Sequence, residues 1–262
     1  MILASFRDRR NDLEEESKIE SAHRNTLRCL STTAAFIIRV IQKKLFWVVL
    51  VVIAAAAITS ARIGDDFRIS RELLKQTESR YGKDAVARLL EWEDMIRTTD
   101  RGKADREKLE KVNRFFNRRI RFATDKALWG VENYWATPYE FLSRNAGDCE
   151  DFAIAKYFTL KAIGVEEEKL NILYVKSLQY GIAHMVLAYY GTPEAEPLIL
   201  DSLIDEILPG SKRTDLLPVF GFNGSGLWTA KQRSQGALPE RSERLKPWQE
   251  LQRKMSGSIL LK

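Results

Sequence analysis

From Phe152 to Ile163 the chain is apolar nearly all the way round a helix, with Lys156, Thr159 and Lys161 as the main exceptions. A helix with no face to offer water has to be wrapped by the rest of the protein. Its ends are marked. Gly147 punctuates, Asp148 is a good N-cap, and Glu150 and Asp151 in the first turn match the positive end of the helix dipole. Gly164 supplies the stop. Cys149 stands at the head of this helix, where backbone N–H groups favour a thiolate. Buried cysteines are also common and usually inert, so the sulfur alone does not define a nucleophile.

The chain has 262 residues, enough for one sizeable domain or two small ones. Its net charge of +6 is modest. Near the C-terminus the basic Lys231, Arg233, Arg241, Arg244 and Lys246 are interleaved with Glu240, Glu243 and Glu250. That pattern reads as solvated surface and argues against a nucleic-acid partner. There is no zinc-ligand spacing, Gly-rich phosphate loop or internal repeat.

Residues 1–44 form a polar flank whose last part is basic (Arg24, Arg28, Arg39, Lys43 and Lys44). Residues 45–61 then run from Leu45 to Ala61 without a charge. As a helix this segment spans about 25 Å, slightly less than the ~30 Å hydrocarbon core. Lys44 and Arg62 can snorkel to make up the difference. The segment is either a signal-anchor in the inner membrane or a signal-peptide core, because Thr59 and Ala61 resemble a cleavage site. In both cases the flank stays cytoplasmic and residues 62–262 are exported. The expected division is flank 1–44, membrane or signal segment 45–61, folded domain 62–230 and polar tail 231–262. Cys29 and His23 then lie on the other side of the membrane, which leaves the exported part with Cys149 and His184 as its only thiol and imidazole.

Within the exported part, residues 83–97 and 104–121 have the period of amphipathic helices. The aromatic stretch Trp129 to Trp135 reads as loop. Thr137-Pro138-Tyr139-Glu140 is a capping box with Pro at the first helical position. After Gly164 the period changes. Leu170–Leu178, Ile182–Tyr190 and Leu198–Leu200 read as strands, with Pro218–Phe222 and Leu227–Thr229 as further ones. A helix is expected near Trp248 to Lys254. Helices followed by a run of strands indicate an α+β fold, with a buried Cys-bearing helix on an antiparallel sheet.

A cysteine heading a buried helix, a histidine on one strand (His184) and an aspartate ending the next (Asp201) supply nucleophile, base and orienter in that order. The motifs Trp135-Ala136-Thr137-Pro138, Gly147-Asp148-Cys149-Glu150-Asp151-Phe152, His184-Met185-Val186-Leu187 and Leu200-Asp201 resemble those of the bacterial transglutaminase-like cysteine proteinases. The resemblance covers roughly residues 65–210. It implies a papain/transglutaminase-like fold with Cys149 as nucleophile, His184 as general base and Asp201 as its orienter. It also implies a periplasmic, calcium-dependent endopeptidase that cuts the N-terminal region of a large biofilm adhesin. Its partner would be a LapD-like inner-membrane cyclic-di-GMP receptor. Ser202, where Asn is expected after the triad Asp, and the long N-terminal flank depart from that pattern.

The calcium expectation has a physical argument of its own. A carboxylate about 6 Å from a thiolate costs roughly 2–3 kcal/mol at an effective dielectric near 20. Asp148, Glu150 and Asp151 therefore outweigh a helix terminus, which contributes about 0.3–1 kcal/mol. A Ca²⁺ ion held by these three acids would remove the conflict. For the oxyanion, the Cys149 N–H needs a second donor, with the Trp135 indole and Asn133 as candidates. Two alternatives remain at this level: a transglutaminase-like acyltransferase, and an inactive membrane-tethered binding module.

Overall fold

The computed structural model describes residues 67–229 and 245–258, with side chains to Met255. The expectations for the flank, the apolar segment 45–61 and residues 230–244 lie outside these residues. Among the described residues no helix is long and apolar enough to cross a membrane.

Three helices lead the fold: α1 (Arg71–Tyr81), α2 (Lys83–Thr98) and α3 (Asp105–Arg119). The first was not foreseen; only Thr77 of it is buried, so its sequence has little apolar period. A two-residue strand β1 (Arg121–Phe122), a short helix α4 (Asp125–Trp129) and α5 (Pro138–Arg144) follow. The expected loop at Trp129 thus begins as the end of α4. The predicted capping box opens α5: Thr137 Oγ1 accepts from the Glu140 N–H (3.1 Å) and Glu140 Oε2 from the Thr137 N–H (2.9 Å). Strand β2 (Ala146–Gly147) then passes directly into α6 (Cys149–Ala162).

Helix α6 is buried from Phe152 to Tyr157 and again at Thr159 and Leu160. It packs against α3 on one side and the sheet on the other, and α2 is tied to it by Trp92 Nε1 donating to Thr159 Oγ1 at 2.9 Å. Ile163 ends it, and Gly164 follows with a φ of 86°, the left-handed region that suits glycine after a helix. A 3₁₀ turn leads into β3 (Leu170–Ser177), β4 (Ile182–Tyr189), β5 (Leu198–Leu200), β6 (Leu208–Pro209), β7 (Leu216–Phe222) and β8 (Leu227–Thr229). Together they form one six-stranded sheet in the order β6-β5-β4-β3-β7-β8, antiparallel throughout. The α+β expectation holds. Alternation divides β4 as period two requires: Met185, Leu187 and Tyr189 join the main core, while Val186 and Ala188 join Leu173, Val175 and Ile199 in a smaller cluster.

The domain boundary drawn at residue 230 is corrected. Residues Lys246–Ser258 form a last helix, α7, whose Trp248, Leu251 and Met255 are buried in the main core. Trp248 stacks on Phe158 of α6 and meets Tyr157 and Phe222 edge-on. The spacing of these three positions puts them on one helical face, which is the physical reason a polar-looking segment belongs to the domain.

Candidate active site

A two-stranded parallel pair sets the first half of the geometry. β1 and β2 pair in parallel, Arg121 opposite Ala146 and Phe122 opposite Gly147. The residues after each strand therefore run side by side, and Asp125 comes down next to Asp148 and Glu150. Gly147 is a close-approach glycine: a Cβ there would lie 2.5 Å from both Asp151 Oδ2 and the Phe141 ring. Only a residue without a side chain lets β2 press against α5 and deliver Cys149 at the start of α6.

The second half of the site comes from the main sheet. β4 pairs with β5 through Leu187 opposite Leu200, the last pair of that ladder. One step on, Asp201 leaves the ladder two residues from His184 on the same side of the pleat. The contact follows: His184 Nε2 and Asp201 Oδ1 are 2.8 Å apart, with the two side chains 3 % and 0 % exposed. Because β5 stops at Leu200, the first half of β4 has no β5 partner, and there the Met185 backbone N–H bonds the Cys149 sulfur. The nucleophile candidate thus touches the residue next to His184. Its own side-chain hydrogen bond runs to Glu150 Oε2 at 3.1 Å, and not to the imidazole.

Asp201 is fastened at every acceptor. Oδ1 also accepts the Leu203 N–H (3.0 Å) and Oδ2 accepts Arg213 (2.8 Å); the backbone carbonyl accepts Asn117 Nδ2 (2.8 Å) and Lys156 Nζ (3.0 Å). Burial pushes the Asp201 carboxyl up, but the hydrogen bonds from His184, Leu203 and Arg213 outweigh it and hold it at about 2. Arg213 is itself buried and shared with Asp215. Nothing in the sequence singles it out, since a lone arginine in a loop carries no pattern.

The acidic group differs from the expected one in one member. Ligand-capable atoms of Asp125, Asp148 and Glu150 all lie within 4.8 Å of one another. Asp151, expected as a ligand, is fully buried and faces the chain: Oδ1 accepts the Ala136 N–H (2.8 Å) and Oδ2 the Asp148 N–H (3.4 Å). It works as a backbone clamp at the head of α6, and Asp125, 23 residues before Asp148, takes the expected position in the cluster.

The electrostatics show the strain among these acids. Burial, and then the charges of Glu150, Asp151 and Asp125, push the Asp148 carboxyl up to about 9. Burial and Glu150 raise Asp125 to about 6 against the Tyr134 N–H that bonds it. Burial first, and then Glu150, push the Cys149 thiol above the ordinary thiol range, against the Met185 N–H. Asp125 Oδ1 and Asp148 Oδ1 are buried with no partner among the described residues. Three hard oxygen donors that converge, two of them with a partnerless oxygen and held away from full ionisation by burial and by neighbouring carboxylates, fit a divalent cation.

Of the two oxyanion candidates, Asn133 is exposed, whereas Trp135 is buried and stacked on Phe222 at 5.5 Å. The Trp135 Nε1 has no partner among the described residues, and the next residue, Ala136, is held to the first turn of α6 by Asp151.

The family model described as bacterial transglutaminase-like cysteine proteinase BTLCP matches residues 85–215, half of the chain. The chain belongs to this family. Among solved structures, EGTA-treated Legionella pneumophila LapG is 43% identical, with a TM-score of 0.63, over 72% of this chain and 98% of that one. Calcium-bound Legionella pneumophila LapG is 44% identical, with a TM-score of 0.60, over 71% and 99%. A further Legionella pneumophila LapG structure is 42% identical, with a TM-score of 0.62, over 73% and 98%. No curated protein matches the chain. As a BTLCP-family cysteine proteinase, the chain extends the fold beyond the matched span, since β7, β8 and α7 follow residue 215.

Proposed function

We propose that this protein is a calcium-dependent cysteine endopeptidase of the periplasm that cleaves the N-terminal region of a large surface adhesin. The observation that carries the reading is the His184–Asp201 pair at 2.8 Å, with the Cys149 sulfur bonded to the N–H of the next residue, Met185. The chemistry is acyl transfer to water. With Nε2 engaged by Asp201, His184 Nδ1 takes the thiol proton, and the sulfur of Cys149 adds to the scissile carbonyl. The imidazolium returns that proton to the leaving amine, which leaves an acyl thioester on Cys149. Water, deprotonated by His184, then hydrolyses the thioester and frees the thiol. Asp201 fixes the ring tautomer throughout. The Cys149 N–H and the Trp135 indole are the proposed oxyanion donors.

Asp125, Asp148 and Glu150 would hold the calcium ion. The charge it supplies there offsets the carboxylates that otherwise oppose a thiolate at Cys149. The calcium-bound LapG relative and the donor set of this chain together favour that metal. The apolar segment 45–61 favours an exported domain, anchored or released, and a LapD-like inner-membrane cyclic-di-GMP receptor is the proposed regulator.

The test is to mix the full chain with N-terminal adhesin fragments, with calcium or with EGTA, beside Cys149→Ala. Cleavage that needs both calcium and the sulfur is expected. Proteolysis by Cys149→Ala would end the proposal. Incorporation of an amine dye into a glutamine donor without cleavage would make the enzyme an acyltransferase.

A further inference from the structure

The mechanism leaves the fully buried Lys156 without a task. Lys156 is 0 % exposed, on a helix whose surroundings are apolar, where a methionine would fit at no electrostatic cost. Among the described residues it makes no ion pair within salt-bridge distance. Its ammonium lies 5.8 Å from the centre of the Phe152 ring, and its hydrogen bond goes to a single atom, the backbone carbonyl of Asp201, at 3.0 Å. Asn117 Nδ2, from α3, reaches the same carbonyl at 2.8 Å. Two donors from two helices therefore converge on the main chain of the residue that orients His184. Burial lowers the Lys156 pKa to about 7 against the pull of the Asp201 and Asp205 carboxylates, so the charged form is held at a cost. Lys156 also follows Cys149 by seven residues on α6, nearly two full turns, which puts both on one side of the helix, about 10 Å apart along its axis.

We propose that Lys156 is a positioning residue for the reaction. With Asn117 it clamps the Asp201 backbone so that the carboxylate stays in line with His184 Nε2. Because it shares a helix with the sulfur, it also fixes the distance between the nucleophile and the acid. The inference rests on the triad reading above, and its test separates the two.

The experiment compares the full chain with Lys156→Met, Asn117→Ala and Cys149→Ala. One readout is the Nε2–H proton of His184 in histidine-labelled protein, assigned with His184→Ala; the second is kcat and KM on the cleaved adhesin fragment with calcium. In Lys156→Met the Nε2–H proton should exchange with solvent about tenfold faster, and kcat should fall about tenfold or more with KM within twofold. The thermal midpoint should hold or rise, since an apolar side chain replaces a buried charge. Unchanged exchange and unchanged kcat in Lys156→Met overturn the inference. So does a loss of activity that follows a lower thermal midpoint while the His184 signal stays wild-type, because that is a packing effect alone. If Lys156→Met does not fold, Asn117→Ala decides by the same two criteria. The proton readout needs no substrate, so it stands whether or not the chain cleaves an adhesin. Cys149→Ala tests the triad reading and should leave the His184 signal unchanged.

Discussion

Metal uptake should be coupled to proton release, and the size of the effect follows from the acidic cluster. Asp148 is pushed up to about 9, so at pH 7 it is almost fully protonated in the metal-free protein, whereas Asp125, at about 6, is mostly ionised. A cation binds carboxylates and not carboxylic acids. Binding at pH 7 must therefore expel close to one proton, nearly all of it from Asp148. The sign is fixed: the bound form carries fewer protons, so affinity rises with pH. Between pH 7 and pH 9 the dissociation constant for calcium should fall about tenfold per pH unit, and it should level off above that. Below pH 6, where Asp125 also takes a proton, the dependence should steepen. Calorimetric titration in two buffers of different ionisation enthalpy gives the proton count directly. Asp148→Asn should abolish the release at pH 7 along with much of the affinity. Calcium binding at pH 7 with no proton release would show that Asp148 is already ionised, and the argument that these acids strain one another would fail.

Arg213→Met should destabilise the fold by about 3–5 kcal/mol in chemical denaturation, because it leaves the buried Asp201 carboxylate without its cation; a loss under about 1 kcal/mol would refute this. The stability that Asp201 contributes, roughly 2 kcal/mol from its low pKa, should be present above pH 4 and lost as pH falls from about 4 towards 2. Asp201→Asn should flatten that part of the acid unfolding profile, and a profile identical to wild type would count against it. Trp248→Ala should cost about 3–5 kcal/mol by denaturant titration, and a change within 1 kcal/mol would mean that α7 is not part of the core.

What the sequence reveals is what its chemistry keeps local. The caps at Thr137 and Asp148, the all-round apolar helix and the alternation of β4 each occupy one short stretch, and the structure has them where the pattern puts them. Cys149, His184 and Asp201 stand out for the same reason: each sits at a distinctive place on its own element. The members that were not legible act across the chain. Asp125 enters the acidic cluster through a parallel pair only two residues long, too short to leave a period. Asp151 reads as one more first-turn acid, and only its burial shows that it bonds two backbone amides. Lys156 reads as an interruption of an apolar helix, since its carbonyl partner lies 45 residues on. The Trp248, Leu251 and Met255 spacing was visible, but the surrounding charges masked it.

The ladder between β4 and β5 acts as a vernier for the whole site. It is only three pairs long, ending at Leu187 and Leu200, and successive side chains alternate between its two sides. Sliding β5 by a single residue would exchange the faces taken by Leu198, Ile199 and Leu200 and turn the carboxylate of residue 201 away from the imidazole. A chain misthreaded there would also strand the buried Arg213 without its carboxylate. Insertions in the Tyr190–Pro197 connection are therefore tolerable at any length that keeps this pairing, and a deletion of one residue inside β5 is not.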